Sequence, residues 1–369
     1  MKNAVIIGGG LAGLVAAIQM ARCAIPCLVI EKNQYPAHKV CGEYVSNEAL
    51  PFLNSVNLLP SHFDRFPKIE KFLLSAQGGK SIQLSLDVGG FGISRYCFDS
   101  HLYAAALSEG VEFLLNTVVR DVVFSGNRFT VHCGDQSVEA DVVIGAFGKR
   151  SRMDASLQRS FMRKPSPWLA VKYHVETEFP DDTIALHNFQ GGYCGVVRIE
   201  DGITNLCYLA KRGRMKESGS VEALEHQISR ENPWLERLFS NSKRRFDRPL
   251  VINEVSFETK APVEQHILMA GDAAGMIAPL CGNGMAMAIH SGKLVAEAAV
   301  RYCRGELTRG EMEASYAARW NNEFADRLQA GRYLQRLFAG GPVSRFTVAM
   351  ARIRPLAHWL IRQSHGKPF

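Results

Sequence analysis

Residues 8–13 of this 369-residue chain read Gly-Gly-Gly-Leu-Ala-Gly, between a short apolar strand at 4–7 and an alanine-rich helix over 14–22. Alone the spacing is a weak signal, and its setting is what constrains the fold. Gly8 permits a tight strand-to-helix turn, Gly10 lets backbone approach a pyrophosphate, and Gly13 lets helix and strand pack closely. The first helical turn, with Leu11 and Ala12, offers N–H groups and the positive end of the helix dipole to phosphate. A second apolar strand at 27–30 ends at Glu31, 23 residues beyond Gly8. A carboxylate there accepts hydrogen bonds from ribose hydroxyls and repels a 2′-phosphate. Lys32 follows it and is grouped with the same site. Strand before, helix after and acid at the right reach make this a dinucleotide-binding βαβ unit rather than an incidental turn.

A second glycine-rich block stands far along the chain. Residues 267–275, Ile-Leu-Met-Ala-Gly-Asp-Ala-Ala-Gly, read as a buried strand ending in Gly271-Asp272. Pro279, Gly282, Asn283, Gly284 and Met285 follow in a loop that opens a long helix, with Ala286, Ala288, Ser291 and Gly292 at close-packing spacing.

Between the blocks the chain changes style. Residues 80–86 alternate as a strand, and a helix over 97–109 stops at Gly110. Short strands over 111–145 are broken at Ser125-Gly126-Asn127 and Gly134-Asp135. Strand-like pieces at 169–175, 193–199 and 203–209 surround a helix at 220–231, as expected of a sheet domain inserted into the first. The organisation expected is a discontinuous dinucleotide-binding part at 1–75, 95–150 and 262–300, a substrate part at 76–94 and 151–261, and a basic helical region at 301–369.

With 47% apolar and 21% charged residues, the composition is that of a folded globular protein. The net charge of +7 is carried by one tail: after Asp326 there is no acid but seven arginines and Lys367. The rest is near neutral, so no nucleic-acid partner is expected. Nine cysteines are scattered without a CxxC pair, which argues against a zinc site and for free thiols in a reducing cytosol. No apolar run is long enough for a transmembrane helix and nothing resembles a signal peptide, so the expected location is cytoplasmic.

The two glycine blocks, together with Lys39-Val40-Cys41-Gly42-Glu43-Tyr44-Val45-Ser46, resemble the FAD-dependent oxidoreductases of the aromatic-hydroxylase superfamily (class A flavoprotein monooxygenases). The resemblance covers roughly residues 1–300 and is strongest to the geranylgeranyl-reductase-like branch. It implies an α/β fold: a Rossmann-like FAD-binding domain of the GR2 type, an inserted antiparallel-sheet substrate domain and C-terminal helices. It implies that Asp272 meets the flavin ribityl chain, that the backbone of 282–284 faces the pyrimidine edge of the flavin, and that Arg95 lies along the cofactor. A surface ion pair is the other reading of Arg95. One departure matters: Phe147 stands where the family usually has an acid. That loss argues against direct reduction by NAD(P)H, leaving the electron donor open.

On the substrate side the resemblance points to Cys41 and Tyr193. A thiol at 41 would donate a proton to a double bond under reduction, or simply fill a tight turn. Tyr193 alone survives from the aromatic-x-Trp-x-Phe-Pro strand of the reductases, and the halogenase Trp-x-Trp-x-Ile-Pro is missing too. Small residues at Cys194 and Gly195 either open room above the flavin or pack the core. His174, His187 and His290 have no sequence partner at catalytic or metal spacing and read as satisfied or surface histidines. The basic tail, with Phe346, Val348, Met350, Ile353, Leu356, Trp359, Leu360 and Ile361 among its arginines, suits peripheral contact with the inner membrane face, or helices that cover the core with arginines outward. The expected function is C=C reduction of a lipophilic molecule by reduced FAD. The alternatives are hydroxylation of an aromatic or polyketide-like substrate and, in third place, a flavin-binding or electron-relay role.

Overall fold

The strand Ala4–Ile7 is buried at every position, and such a strand needs neighbours on both edges and cover on both faces. In the computed structural model, which describes residues 3–338 and 366–369, it has them. It pairs in parallel with Cys27–Ile30 on one side and Val142–Gly145 on the other, Ala4 standing opposite Cys27 and Val142. Ile267–Met269 extends the sheet beyond Val142–Gly145, and Glu112–Leu114 extends it beyond Cys27–Ile30. Val263–Glu264 adds an antiparallel edge. The helices Leu11–Arg22 and Gly284–Cys303 pack on this sheet and on each other through small residues: a methyl at Gly292 would lie 2.6 Å from the Ala12 carbonyl oxygen.

A larger, mostly antiparallel sheet carries the strands Trp168–Glu176, Thr183–Phe189, Gly192–Arg198 and Thr204–Lys211 at its centre. One face packs Leu169, Val171, Tyr173 and Val175 against Leu224, Ile228 and Leu235 of the helices Val221–Glu231 and Pro233–Asn241. The other face looks toward the parallel sheet. This sheet also takes Tyr44–Ser46 and Lys68–Ser75, segments expected to run with the dinucleotide-binding part. Their pairings are with Ser81–Gly92 and Thr183–Phe189, long-range partners that local alternation does not reveal.

Local signals set many boundaries. The helix Arg95–Ser108 begins at Ser94, whose hydroxyl accepts from the Cys97 N–H, and ends before Gly110 at φ +81°. The turn at Gly126-Asn127 has φ +56° and +64°, the conformation a two-residue hairpin needs. The helices Arg212–Ser218 and Pro233–Asn241 and the strand Thr183–Phe189 were not foreseen.

The helix Arg309–Phe338 packs against Gly284–Cys303, its Tyr316 hydroxyl donating to the Met269 carbonyl at 2.5 Å. Most of the basic amphipathic tail, from Arg345 to Arg362, lies outside the described residues. Arg327, counted with that tail, is buried and paired with Glu48 at 2.8 Å. Among the described residues no helix is long and apolar enough to cross a membrane.

Candidate functional site

One cavity lies between the two sheets, and both glycine blocks open into it. Its walls include Gly10, Leu11 and Ala12 from the first block and Gly271, Asp272, Pro279, Gly282, Asn283, Gly284 and Met285 from the second. Each block ends at a helix N-terminus with no side-chain cap, at Gly10 and at Asn283. Backbone N–H groups and two helix dipoles therefore face one space.

The glycine turn is held from behind. Gly8 has φ +105°, and a methyl on it would lie 2.4 Å from the Ala146 carbonyl oxygen. A methyl on Gly13 would lie 2.0 Å from the Gly8 carbonyl oxygen. These two glycines set the turn without lining the cavity. Glu31 binds the turn itself: its carboxylate accepts from the Gly9 N–H at 2.7 Å and from the Asn33 N–H and side-chain amide at 3.1 Å. Lys32 is exposed beside it.

Arg95 lines the cavity and is ion-paired at once. Its guanidinium meets Asp99 through two nitrogens at 2.7 Å, and Lys39 reaches the same carboxylate at 2.8 Å. Burial opposes the charge on Asp99, and Arg95 with Lys39 overcomes it, so its carboxyl sits below the usual range. On the opposite wall Gly271 donates its N–H to the Ser291 hydroxyl at 3.0 Å, and Lys260 bridges the Asp272 and Lys149 carbonyls at 2.7 and 2.8 Å. Burial lowers the Lys260 amine to about 8.

These residues fit a dinucleotide carrying a flavin. Two uncapped helix ends face one cleft, Gly10 leaves it free of a side chain, and Asp272 stands in its wall. Comparison with known proteins agrees. A sequence model described as an FAD binding domain matches residues 3–40. Digeranylgeranylglycerophospholipid reductase 1 of Methanopyrus kandleri is 26% identical over 346 residues, 89% of this chain and 88% of that protein. Among solved structures, the flavin-dependent brominase Bmp2 superposes with a TM-score of 0.80 at 20% identity, covering 98% of this chain and 93% of that one. A geranylgeranyl bacteriochlorophyll reductase-like protein of Thermoplasma acidophilum gives 0.78 at 18% identity, covering 94% and 90%.

The chain is an FAD-dependent oxidoreductase, similar in sequence to the geranylgeranyl lipid reductases.

The rest of the flavoprotein's cavity is mostly apolar, with Glu43 and Lys149 as its charged members. Phe72, Ala170, Ile184, Leu186, Val196 and Leu209 line it from the larger sheet, with Cys41, Tyr193, Gly195 and Cys207. Cys194 is not in the wall; strand alternation turns it to the helix-covered face, where it is fully buried. Tyr193 accepts from the Leu280 N–H at 3.1 Å and donates to Gln335 at 3.0 Å, and burial raises its phenol well above the ordinary value. Lys149 donates to the Val40 carbonyl at 2.8 Å, and Arg150 pairs with Glu254 at 2.9 Å, so both cations beside Phe147 have protein partners.

The histidines find neighbours distant in sequence. His187 meets the Ser75 hydroxyl at 2.9 Å, and His290 stacks on Phe369 with centroids 3.9 Å apart. His174 meets Glu43 at 2.6 Å. Sequence reasoning missed Glu43, Lys172 and Cys207. Part of the signal was present: in 168–175, Trp-Leu-Ala-Val-Lys-Tyr-His-Val, Lys172 and His174 fall on one face of an otherwise apolar strand.

Proposed function

We propose that this flavoprotein saturates carbon–carbon double bonds in a lipophilic, isoprenoid-like molecule. The observation that carries the reading is the continuity of the cavity: it runs from the two glycine blocks onto an apolar sheet face, with the Cys41 thiol in its wall. The name of the Methanopyrus relative, a reductase of a geranylgeranyl lipid, supports the same substrate class.

In this reading Gly10, Leu11 and Ala12 cradle the pyrophosphate of FAD on a turn that Gly8 and Gly13 shape from behind, and Glu31 with Lys32 flanks its ribose. Arg95, Gly271, Asp272, Pro279, Gly282, Asn283, Gly284 and Met285 hold the flavin half. FAD, when bound and reduced, supplies a hydride equivalent. The apolar wall binds and orients the hydrocarbon chain and excludes water from it. Cys41 holds the proton that the second carbon of the double bond requires. Tyr193, whose hydroxyl is committed to Leu280 and Gln335, fixes the 279–285 loop rather than moving a proton. The electron donor is one that does not use the lost acid at Phe147.

The test is anaerobic incubation of reduced holoenzyme with geranylgeranyl lipids, followed by mass analysis. A product heavier by two hydrogens per double bond is expected, and Cys41→Ser should retain FAD while turnover falls by about a hundredfold. A product that forms only with oxygen and carries a hydroxyl would overturn the reading in favour of hydroxylation.

A further inference from the structure

The strand Trp168–Glu176 carries an unusual column of side chains. Its far face is apolar and packed under the helices. On the near face Ala170 lines the cavity, Lys172 comes next, and His174 follows at the same two-residue interval. Lys172 is wholly buried and His174 is 3% exposed. Both reach Glu43, which is wholly buried on the loop that carries Cys41. Lys172 Nζ donates to one carboxylate oxygen and His174 Nε2 meets the other at 2.6 Å. Beyond His174 stands His38, its ring edge-on at 5.1 Å, exposed to solvent. At the inner end Lys172 lies in register opposite Cys207, a cavity residue.

Stability does not account for this cluster. Replacing buried ionic groups by packed apolar ones is often neutral or stabilising. On the cavity side of Lys172 the same face is already apolar at Ala170. An imidazole in hydrogen-bond contact with a carboxylate that lines the cavity, beside a surface histidine, instead provides groups that exchange protons.

We infer that His38, His174 and Glu43, the last held by Lys172, form a proton-conducting column that connects solvent to the cavity wall. A proton enters at the His38 ring and passes through an intervening water to His174, the two rings making no direct hydrogen bond. It crosses from His174 Nε2 to Glu43, which lines the cavity and releases it there, while Lys172 holds the carboxylate in place. Each transfer breaks one N–H or O–H bond and forms another, and no electrons move. Only the destination rests on the proposed function, in which Cys41 must recover a proton after each turnover.

The surroundings suit the task. The carboxylate also accepts from the Arg95 N–H at 2.8 Å, and Lys172 donates to the Lys39 carbonyl at 3.0 Å. Burial works to raise the Glu43 carboxyl, but Lys172 and His174 hold it below the usual value. Burial, then the neighbouring His174 and Lys172, lowers His38 to about 4, so its ring passes protons without retaining charge near neutrality. The Arg95–Asp99–Lys39 group stands on the helix side, and Lys149, Cys41 and Cys207 face the cluster from the cavity side.

The experiment uses holoenzyme in weak buffer with a pH-indicator dye. Flavin photoreduction and proton uptake are followed together, without substrate. His174→Gln keeps a donor to Glu43 but does not relay protons, and His38→Phe keeps the surface ring stack. Both should show proton uptake lagging behind flavin bleaching by about a hundredfold relative to wild type. Imidazole should restore the rate in His174→Ala. Uptake that keeps pace with bleaching in both His174→Gln and His38→Phe overturns the column. Cys41→Ala separates the two proposals: it abolishes double-bond reduction only if Cys41 is the donor, and it leaves dye-monitored uptake intact if the column is right.

Discussion

Adding one methyl group at three glycines tests the architecture of the cofactor cleft. A methyl on Gly13 would sit 2.0 Å from the Gly8 carbonyl oxygen and 3.2 Å from the Ala146 methyl. The oxygen belongs to backbone and does not rotate away, so the helix Leu11–Arg22 must withdraw by about 1 Å to restore ordinary contact. Its other side is closed as well, because the Ala12 carbonyl already lies against Gly292. Overpacking of this kind costs about 1–3 kcal/mol, and closure on both sides places Gly13→Ala near the upper end. A methyl on Gly10 meets only the end of the Arg95 guanidinium, at 3.4 Å. Gly10→Ala should therefore stay within about 1 kcal/mol of wild type in stability. It should still bind FAD at least tenfold more weakly, about 1.4 kcal/mol, because the methyl projects where the phosphates approach. Gly310→Ala, in a helix with nothing within 4 Å, should gain about 0.5–1 kcal/mol. Urea unfolding of the apoproteins and flavin titration by fluorescence quenching provide both readouts. Wild-type flavin affinity in Gly10→Ala would refute the backbone approach, and a wild-type unfolding midpoint in Gly13→Ala would refute the packing argument.

Further expectations concern the frame around the cavity. Arg159 is buried between Asp154 at 2.9 Å and Glu264 at 2.6 Å and donates to the Ala273 carbonyl beside Gly271-Asp272; Arg159→Met strands Asp154 and should cost about 3–5 kcal/mol in urea unfolding. His187, lowered by burial to about 3, stays neutral in the native state while the unfolded chain takes up a proton below about 6.5. Its contribution is complete above that pH and is lost as pH falls toward 3, with a slope of up to about 1.4 kcal/mol per pH unit. His187→Gln should flatten the pH dependence of the urea midpoint between pH 6.5 and 5. Tyr193→Phe leaves the Leu280 N–H without its acceptor, at about 1–3 kcal/mol, and should weaken FAD binding while the flavin-loaded fraction keeps its turnover.

The parts legible in sequence are those governed by short-range rules. Gly8, Gly10 and Gly13 announce a turn because backbone geometry demands it, and Gly110 and Gly126-Asn127 mark their stops for the same reason. The strands 27–30 and 267–270 were legible because buried parallel strands are continuously apolar. Less legible were pairings made over long distances. Nothing near Tyr44–Ser46 indicates that it will join Gly90–Gly92. Nor does anything near His174 indicate a carboxylate 131 residues away. Cys194 and Gly195 looked interchangeable as small residues, and only strand parity sent one to the cavity and the other to the core.

The parallel sheet has a consequence for how the polypeptide is made. Ala4–Ile7 is the central strand, yet its neighbour Val142–Gly145 leaves the ribosome roughly 7–27 s later at about 5–20 residues per second. During that interval a fully apolar strand has one edge unsatisfied. The second glycine block appears later still, so flavin cannot template the early collapse and can only lock a nearly finished fold. Poor soluble yield at high expression temperature, relieved by slower synthesis or chaperones but not by riboflavin alone, is the behaviour this order of emergence entails.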